Sequence, residues 1–113
     1  MKKLYFGCSL THASEEFRRE MEDFKNTLRH DYEVFDFLGL EKGTERDVFL
    51  HDTKCVRECD LFVAEVSHPS TGIGCELGIA LTIGKPILAV AKHNAKVARL
   101  ILGVDAPNYV FKR

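Results

Sequence analysis

Glu76 is out of place. The stretch from Ser67 to Leu81, "SHPSTGIGCELGIAL", runs through three glycines into an apolar, helix-like segment, and from Ile73 to Ile83 no other Asp or Glu occurs. An acid at the start of a helix often answers a Ser or Thr cap three residues before it, but position 73 is Ile. What remains, short of chemistry, is the preference of an acid for the positive end of a helix dipole. Asp52 breaks its pattern in the same way. On the helix ending near Glu58, Val48, Cys55, Val56 and Cys59 share one face, and Asp52 lies in the middle of it. A buried, unpaired carboxylate is costly, so such an acid is partnered, at a helix end, or functional. A helix that starts late and is capped by Asp52 accounts for it equally well. Two carboxylates at one pocket, one of them tuned by an apolar setting, are the usual means of breaking a glycosidic bond through an oxocarbenium-like state.

The elements that must position these acids follow from hydrophobic period and turn residues. "KLYFGCSL" (Lys2 to Leu10) reads as a strand entering a loop, and Ser14, Glu15 and Glu16 open a helix with the stripe Phe17, Met21, Phe24, Leu28. "YEVFDF" is a second strand, and "GLEKGTERD" (Gly39 to Asp47) a polar loop before the Asp52 helix. "DLFVAEV" (Asp60 to Val66) is nearly all apolar, as a central parallel strand is. The Glu76 segment supplies the third helix, "PILAVA" the fourth strand, Ala95 to Leu102 a short helix and "NYVF" a fifth strand. This alternation predicts one α/β domain over residues 1–113: a doubly wound, five-stranded parallel sheet, Rossmann-like or flavodoxin-like, in the order 2-1-3-4-5.

That order reverses between the first and third strands, and ligands bind at the carboxyl ends there. The two loops concerned, "CSLTHA" and "SHPSTGIG", bring Ser9, Thr11 and His12 toward Ser70, Gly72 and Gly74. A helix N-terminus entered through glycines and flanked by hydroxyls is a natural seat for a phosphate. Tight turning or close packing explains the glycines without a ligand. Tyr5 reads first as core, with a hydroxyl that could orient a carboxylate at the strand end. His12 and His68 lie in the converging loops, and Lys92, Lys96 and Arg99 read as basic surface within reach of a phosphate in this subunit or a neighbour.

Composition narrows the partners. With 16 Lys and Arg against 17 Asp and Glu, the net charge of -1 gives no reason to expect nucleic acid or an anionic membrane. No signal peptide or membrane span is expected, so the chain reads as cytoplasmic. Four cysteines without CxxC spacing read as reduced, core-type thiols, not a disulfide framework or a metal site.

Three segments, "YFGCSL", the D-x7-"DLFVAEV" run from Asp52 and "HPSTGIGCELGIAL", resemble the nucleoside 2-deoxyribosyltransferase superfamily. Within it they are most similar to the 2'-deoxynucleoside 5'-phosphate N-hydrolases. The resemblance implies that Glu76 attacks or stabilises the anomeric carbon, that Asp52 binds the sugar and assists the leaving base, and that Tyr5 orients Glu76. It places Ser9, Ser70 and the amides around Gly72 and Gly74 at a 5'-phosphate. Thr11 and Ala98 stand where these hydrolases commonly carry an arginine and a partner-reaching serine, with Arg99 or His12 as candidates to substitute. The loop order "GCS", reversed from the usual Cys-Gly, puts the flexible point at Gly7.

The expected activity is therefore N-glycosidic cleavage of a (deoxy)nucleoside 5'-monophosphate, with no metal or organic cofactor required. A deoxyribosyltransferase that exchanges bases and a non-catalytic nucleotide sensor are the alternatives. Because the sequence stops after the fifth strand, a sheet face is expected to be left for a second copy, as in a homodimer.

Overall fold

The computed structural model describes residues 1–39 and 42–113; Leu40 and Glu41, within the loop expected after the second strand, lie outside the described residues. Its elements run β1 (Lys3–Cys8), α1 (Glu15–Leu28), β2 (Glu33–Asp36), α2 (Glu45–Glu58), β3 (Leu61–Glu65), α3 (Thr71–Thr82), β4 (Ile87–Val90), α4 (Arg99–Leu102) and β5 (Tyr109–Lys112). The five strands pair in parallel in the order β2-β1-β3-β4-β5, the order expected.

The two central strands explain the sheet. β1 and β3 are buried on both faces, which is why they are almost uninterrupted in apolar residues. Their register sets Tyr5 against Phe62 and Cys8 against Glu65. Alternation then divides the core. Tyr5, Phe62, Ala64 and Val66 face α2 and α3, with the Tyr5 and Phe62 rings stacked at 5.3 Å. Leu4, Phe6, Cys8 and Val63 face α1, whose Phe24 meets Phe6 edge-on at 5.5 Å. On that side the buried Lys25 pairs with Glu22 at 2.8 Å and with Asp36 of β2 at 2.9 Å, tying α1 to the sheet edge.

Each long helix begins at a hydroxyl cap. Ser14 accepts from the Phe17 N–H, and Ser70 accepts from the Ile73 N–H. Thr44 and Asp47 form a reciprocal capping box. α2 therefore starts at Glu45, and Asp52 lies in mid-helix; the explanation of Asp52 as a cap is excluded.

Three expectations need correction. The segment from Ala95 to Leu102 is helical only from Arg99. The Arg113 guanidinium donates to the carbonyls of Lys92, His93 and Ala95, at 2.7 Å for Ala95, whose oxygen a helix from Ala95 would have used for the Arg99 N–H. Gly7 is a close-approach glycine within β1, not a flexible point: a Cβ there would stand 3.0 Å from Ile73 Cδ1 and 3.2 Å from Phe62 Cε1. Cys8, Cys55 and Cys59 are buried free thiols, but Cys75 is exposed on the outer face of α3.

Candidate active site

The carboxyl end of β1, the segment after β2, α2 and the start of α3 bound a cavity of about 260 Å³. Both carboxylates reach it, Glu76 from the second turn of α3 and Asp52 from the middle of α2. Helix period accounts for Glu76. Ile73, Leu77 and Ala80 are the buried face of α3 against the sheet, and Glu76 falls among them, itself 8% exposed. Its partner comes from the central strand: the Tyr5 hydroxyl donates to Glu76 Oε2 at 2.5 Å. Asp52 is held from the opposite wall, where its Oδ1 accepts the Leu38 N–H at 2.8 Å just beyond β2.

The electrostatics divide the two acids from ordinary surface carboxylates. Burial pushes Glu76 up to about 7, against the Tyr5 hydrogen bond that favours the charged form; the Asp52 charge adds a smaller upward push. Burial also raises Asp52 from its ordinary value, opposed by the Leu38 N–H and by His51. Tyr5 is raised far above a normal phenol, by burial first and then by the Glu76 charge, so it remains a hydrogen-bond donor at any physiological pH. The arrangement is a buried carboxyl near its midpoint at neutral pH, a second carboxyl facing it and a fixed donor, all at one hollow.

Ser9, Thr11, Ser70 and Gly72 line the same cavity. The first loop is braced by Arg18, whose guanidinium donates to the Leu10 carbonyl at 2.7 Å. The Ser70 hydroxyl already accepts the Ile73 N–H as the α3 cap. The Gly74 N–H is taken by the Ser70 carbonyl, which leaves the amides of Thr71 and Gly72, the first two of the helix, as donors without an intrahelical acceptor. Gly74 lines a second cavity instead, and His12 is exposed in the first loop and lines neither. Neither Gly72 nor Gly74 has a positive φ; a Cβ on Gly74 would meet open space and one on Gly72 only an ordinary contact with Ser70 Oγ at 3.8 Å, so turning and close packing do not account for them. The walls missed in the sequence are Phe37, Leu38 and Gly39 at the end of β2. Their position one strand beyond the crossover was the available signal.

The second cavity, of about 540 Å³, is larger and mostly apolar. It lies between the β3–α3 loop and the segment before α4, and it meets the carboxylate cavity at Ser70 and Ile73. Lys96 and Arg99 line it, whereas no lysine or arginine is among the described residues lining the carboxylate cavity. Among the described residues, no cluster of His, Cys, Asp and Glu could hold a metal ion.

Residues 4–108 match the family described as nucleoside 2-deoxyribosyltransferase, and the chain belongs to that family. A protein of Thermofilum pendens, provisionally named 2'-deoxynucleoside 5'-phosphate N-hydrolase 1, is 42% identical over 77 residues, which are 66% of this chain and 54% of that one. The 5-hydroxymethyl-dUMP N-hydrolase of Mus musculus is 46% identical over 52 residues, 44% of this chain and 30% of the mouse protein. The chain thus spans about half or less of the length of these two relatives. Among solved structures, the Clostridium botulinum CMP N-glycosidase superimposes with a TM-score of 0.77 at 25% identity, covering 98% of this chain and 87% of that one.

Proposed function

We propose that this protein is an N-glycosidase that cleaves the bond between base and sugar in a (deoxy)nucleoside 5'-monophosphate. The observation that carries the reading is the buried Tyr5–Glu76 pair facing Asp52 across one cavity, in a chain whose relatives are named as nucleotide N-hydrolases. Ionised Glu76 attacks C1' as the C1'–N bond breaks, and the protonated form of Asp52 gives its proton to the departing base nitrogen. Water then attacks C1' of the glycosyl ester, its proton passing to Asp52, and Glu76 is released. Tyr5 holds the Glu76 carboxylate in line throughout. The 5'-phosphate sits at the α3 entrance, against Ser9, Thr11, Ser70 and the Thr71 and Gly72 amides, with Gly72 leaving room for it.

One observation favours a second reading. A cavity holding two acids, without a lysine or arginine among its described lining residues, suits a neutral nucleoside and a base-exchanging transferase. Incubation with deoxynucleoside monophosphates and deoxynucleosides, with and without a second base, separates them. Base released from monophosphates alone supports the hydrolase; exchange that requires a second base supports the transferase. Nucleotide binding without either product would leave the sensor reading.

A homodimer in the cytoplasm completes the proposal. The outer face of α3 presents Thr71, Gly74, Cys75, Gly78 and Thr82, exposed yet uncharged, and Leu100 is 84% exposed on α4 nearby. Sedimentation of the purified protein tests it. No described helix is long and apolar enough to cross a membrane, and small nucleotides, not polymers or lipids, are the expected partners.

A further inference from the structure

Glu65 is a buried carboxylate that the proposed chemistry does not use. It ends β3, only 4% exposed, on the α1 side of the sheet and outside the carboxylate cavity. No lysine or arginine pairs with it among the described residues; both its oxygens are taken by one residue two places on. Its Oε1 accepts the Ser67 N–H at 2.7 Å and its Oε2 the Ser67 hydroxyl at 2.8 Å. That hydroxyl in turn accepts the Lys92 N–H at 2.7 Å, just past β4, and the Lys92 ammonium meets Glu20 of α1 at 2.7 Å. A charge buried without a cation is expensive, and replacing it by an apolar residue would often be neutral. What it holds is a turn: only His68 and Pro69 separate Ser67 from the Ser70 cap, with the proline fixing φ and the His68 ring edge-on to Phe17 at 4.5 Å.

We propose that Glu65 is a positioning residue for the anion seat: through Ser67 it fixes the Ser67–Ser70 turn, and so the direction in which the Ser70 hydroxyl and the free amides of Thr71 and Gly72 face the cavity. It touches no substrate. Its effect falls on binding of the phosphate end and leaves the carboxylates that react on their own supports, β1 for Glu76 and the Leu38 amide for Asp52. The consequence for substrate rests on the proposed function; the consequence for the turn does not.

The test uses Glu65→Gln, Glu65→Ala, Ser67→Ala and the double variant Glu65→Ala/Ser67→Ala in the full chain. Amide hydrogen exchange is expected to speed up about tenfold or more at Ser67 to Ile73 in the single variants, while β1, β3 and β4 keep their protection. KM for a deoxynucleoside monophosphate should rise about tenfold with kcat within about twofold, and KM for the corresponding deoxynucleoside should not move. Glu65→Gln, which keeps an acceptor for the Ser67 amide, should recover part of the loss, and the double variant should be no worse than Glu65→Ala. Unchanged exchange at the turn overturns the proposal, as does faster exchange with no change in KM, or a kcat loss equal for both substrates. If wild type releases no base from any substrate, the proposed function fails and exchange alone decides the role of Glu65. Should Glu65→Ala not fold, Glu65→Gln and Ser67→Ala carry the same comparison.

Discussion

Replacing Tyr5 by Phe removes one hydroxyl from the buried site and keeps the ring stacked on Phe62. The lost bond is the 2.5 Å donor to Glu76, and it favours the ionised carboxylate over the acid. A hydrogen bond to a charged group contributes roughly 1.5–3 kcal/mol, and at about 1.36 kcal/mol per pKa unit its removal raises Glu76 by roughly 1–2 units. The starting point is about 7. The acid limb of kcat for base release, set by the fraction of ionised nucleophile, should therefore move to about pH 8–9 in Tyr5→Phe, since opposed charges and desolvation are otherwise unchanged. At pH 7 wild type is about half ionised and the variant roughly one-tenth to one-hundredth, so the rate falls about 5- to 50-fold. Near pH 9.5 most of that loss should be recovered. Initial rates of base release from a deoxynucleoside monophosphate, followed by chromatography from pH 5 to 10, measure both limbs. A loss equal at every pH would mean that Tyr5 only packs and orients. A limb that moves to lower pH would refute the electrostatic reasoning itself.

Asp52→Asn keeps an acceptor for the Leu38 amide but removes the group whose protonated form serves the departing base, so kcat should drop roughly 10²–10⁴-fold; with the push from ionised Asp52 gone, the Glu76 limb should move to lower pH, opposite to Tyr5→Phe, and a pH profile shows both. Glu76→Gln should be inactive, and its stability should depend on pH in a defined direction. The ordinary value for Glu76 is 4.5 and the folded value about 7, so below pH 4.5 the carboxyl is protonated in both states and costs nothing. As pH rises through 7 the unfolded chain ionises more readily, and wild type loses up to ~3 kcal/mol that the glutamine variant keeps. Urea unfolding at pH 4.5 and pH 8.5 should show the variant gaining only at the higher pH. Gly7→Ala should destabilise by roughly 1–3 kcal/mol, because its Cβ would press on Ile73 at 3.0 Å and push α3 from β1; thermal melting checks this, and an unchanged melting temperature would contradict it.

The sheet was legible because its signals are local. Unbroken apolar runs marked β1 and β3, and the Ser14 cap with its stripe marked α1. Glu76 and Asp52 were legible as exceptions, since each sits on an apolar helix face. What escaped depends on contacts distant in sequence. Arg113 lies 18 residues beyond the Ala95 carbonyl it bonds, past α4 and β5, so nothing near Ala95 announces that the helix waits until Arg99. The Leu38 amide that holds Asp52 belongs to the backbone and leaves no mark in residue type. Gly7 reads the same whether it bends or makes room; only the approach of Ile73 distinguishes the two. Ser70 was found as a hydroxyl near the pocket, but its cap bond to Ile73 depended on where α3 begins.

The Tyr5–Glu76 pair joins residues 71 positions apart, one on a central strand and the other on the helix that covers it. Most enzyme sites gather on loops whose local opening is cheap, so activity fades well before the fold does. Here the pair breaks only if α3 lifts from the sheet, an event that exposes the larger core cluster, including Phe62, Ile73 and Leu77. On the proposed function, turnover should thus act as a reporter of cooperative unfolding: its loss with denaturant should coincide with the global transition, and a refolding chain should acquire activity only at the last, core-sealing step.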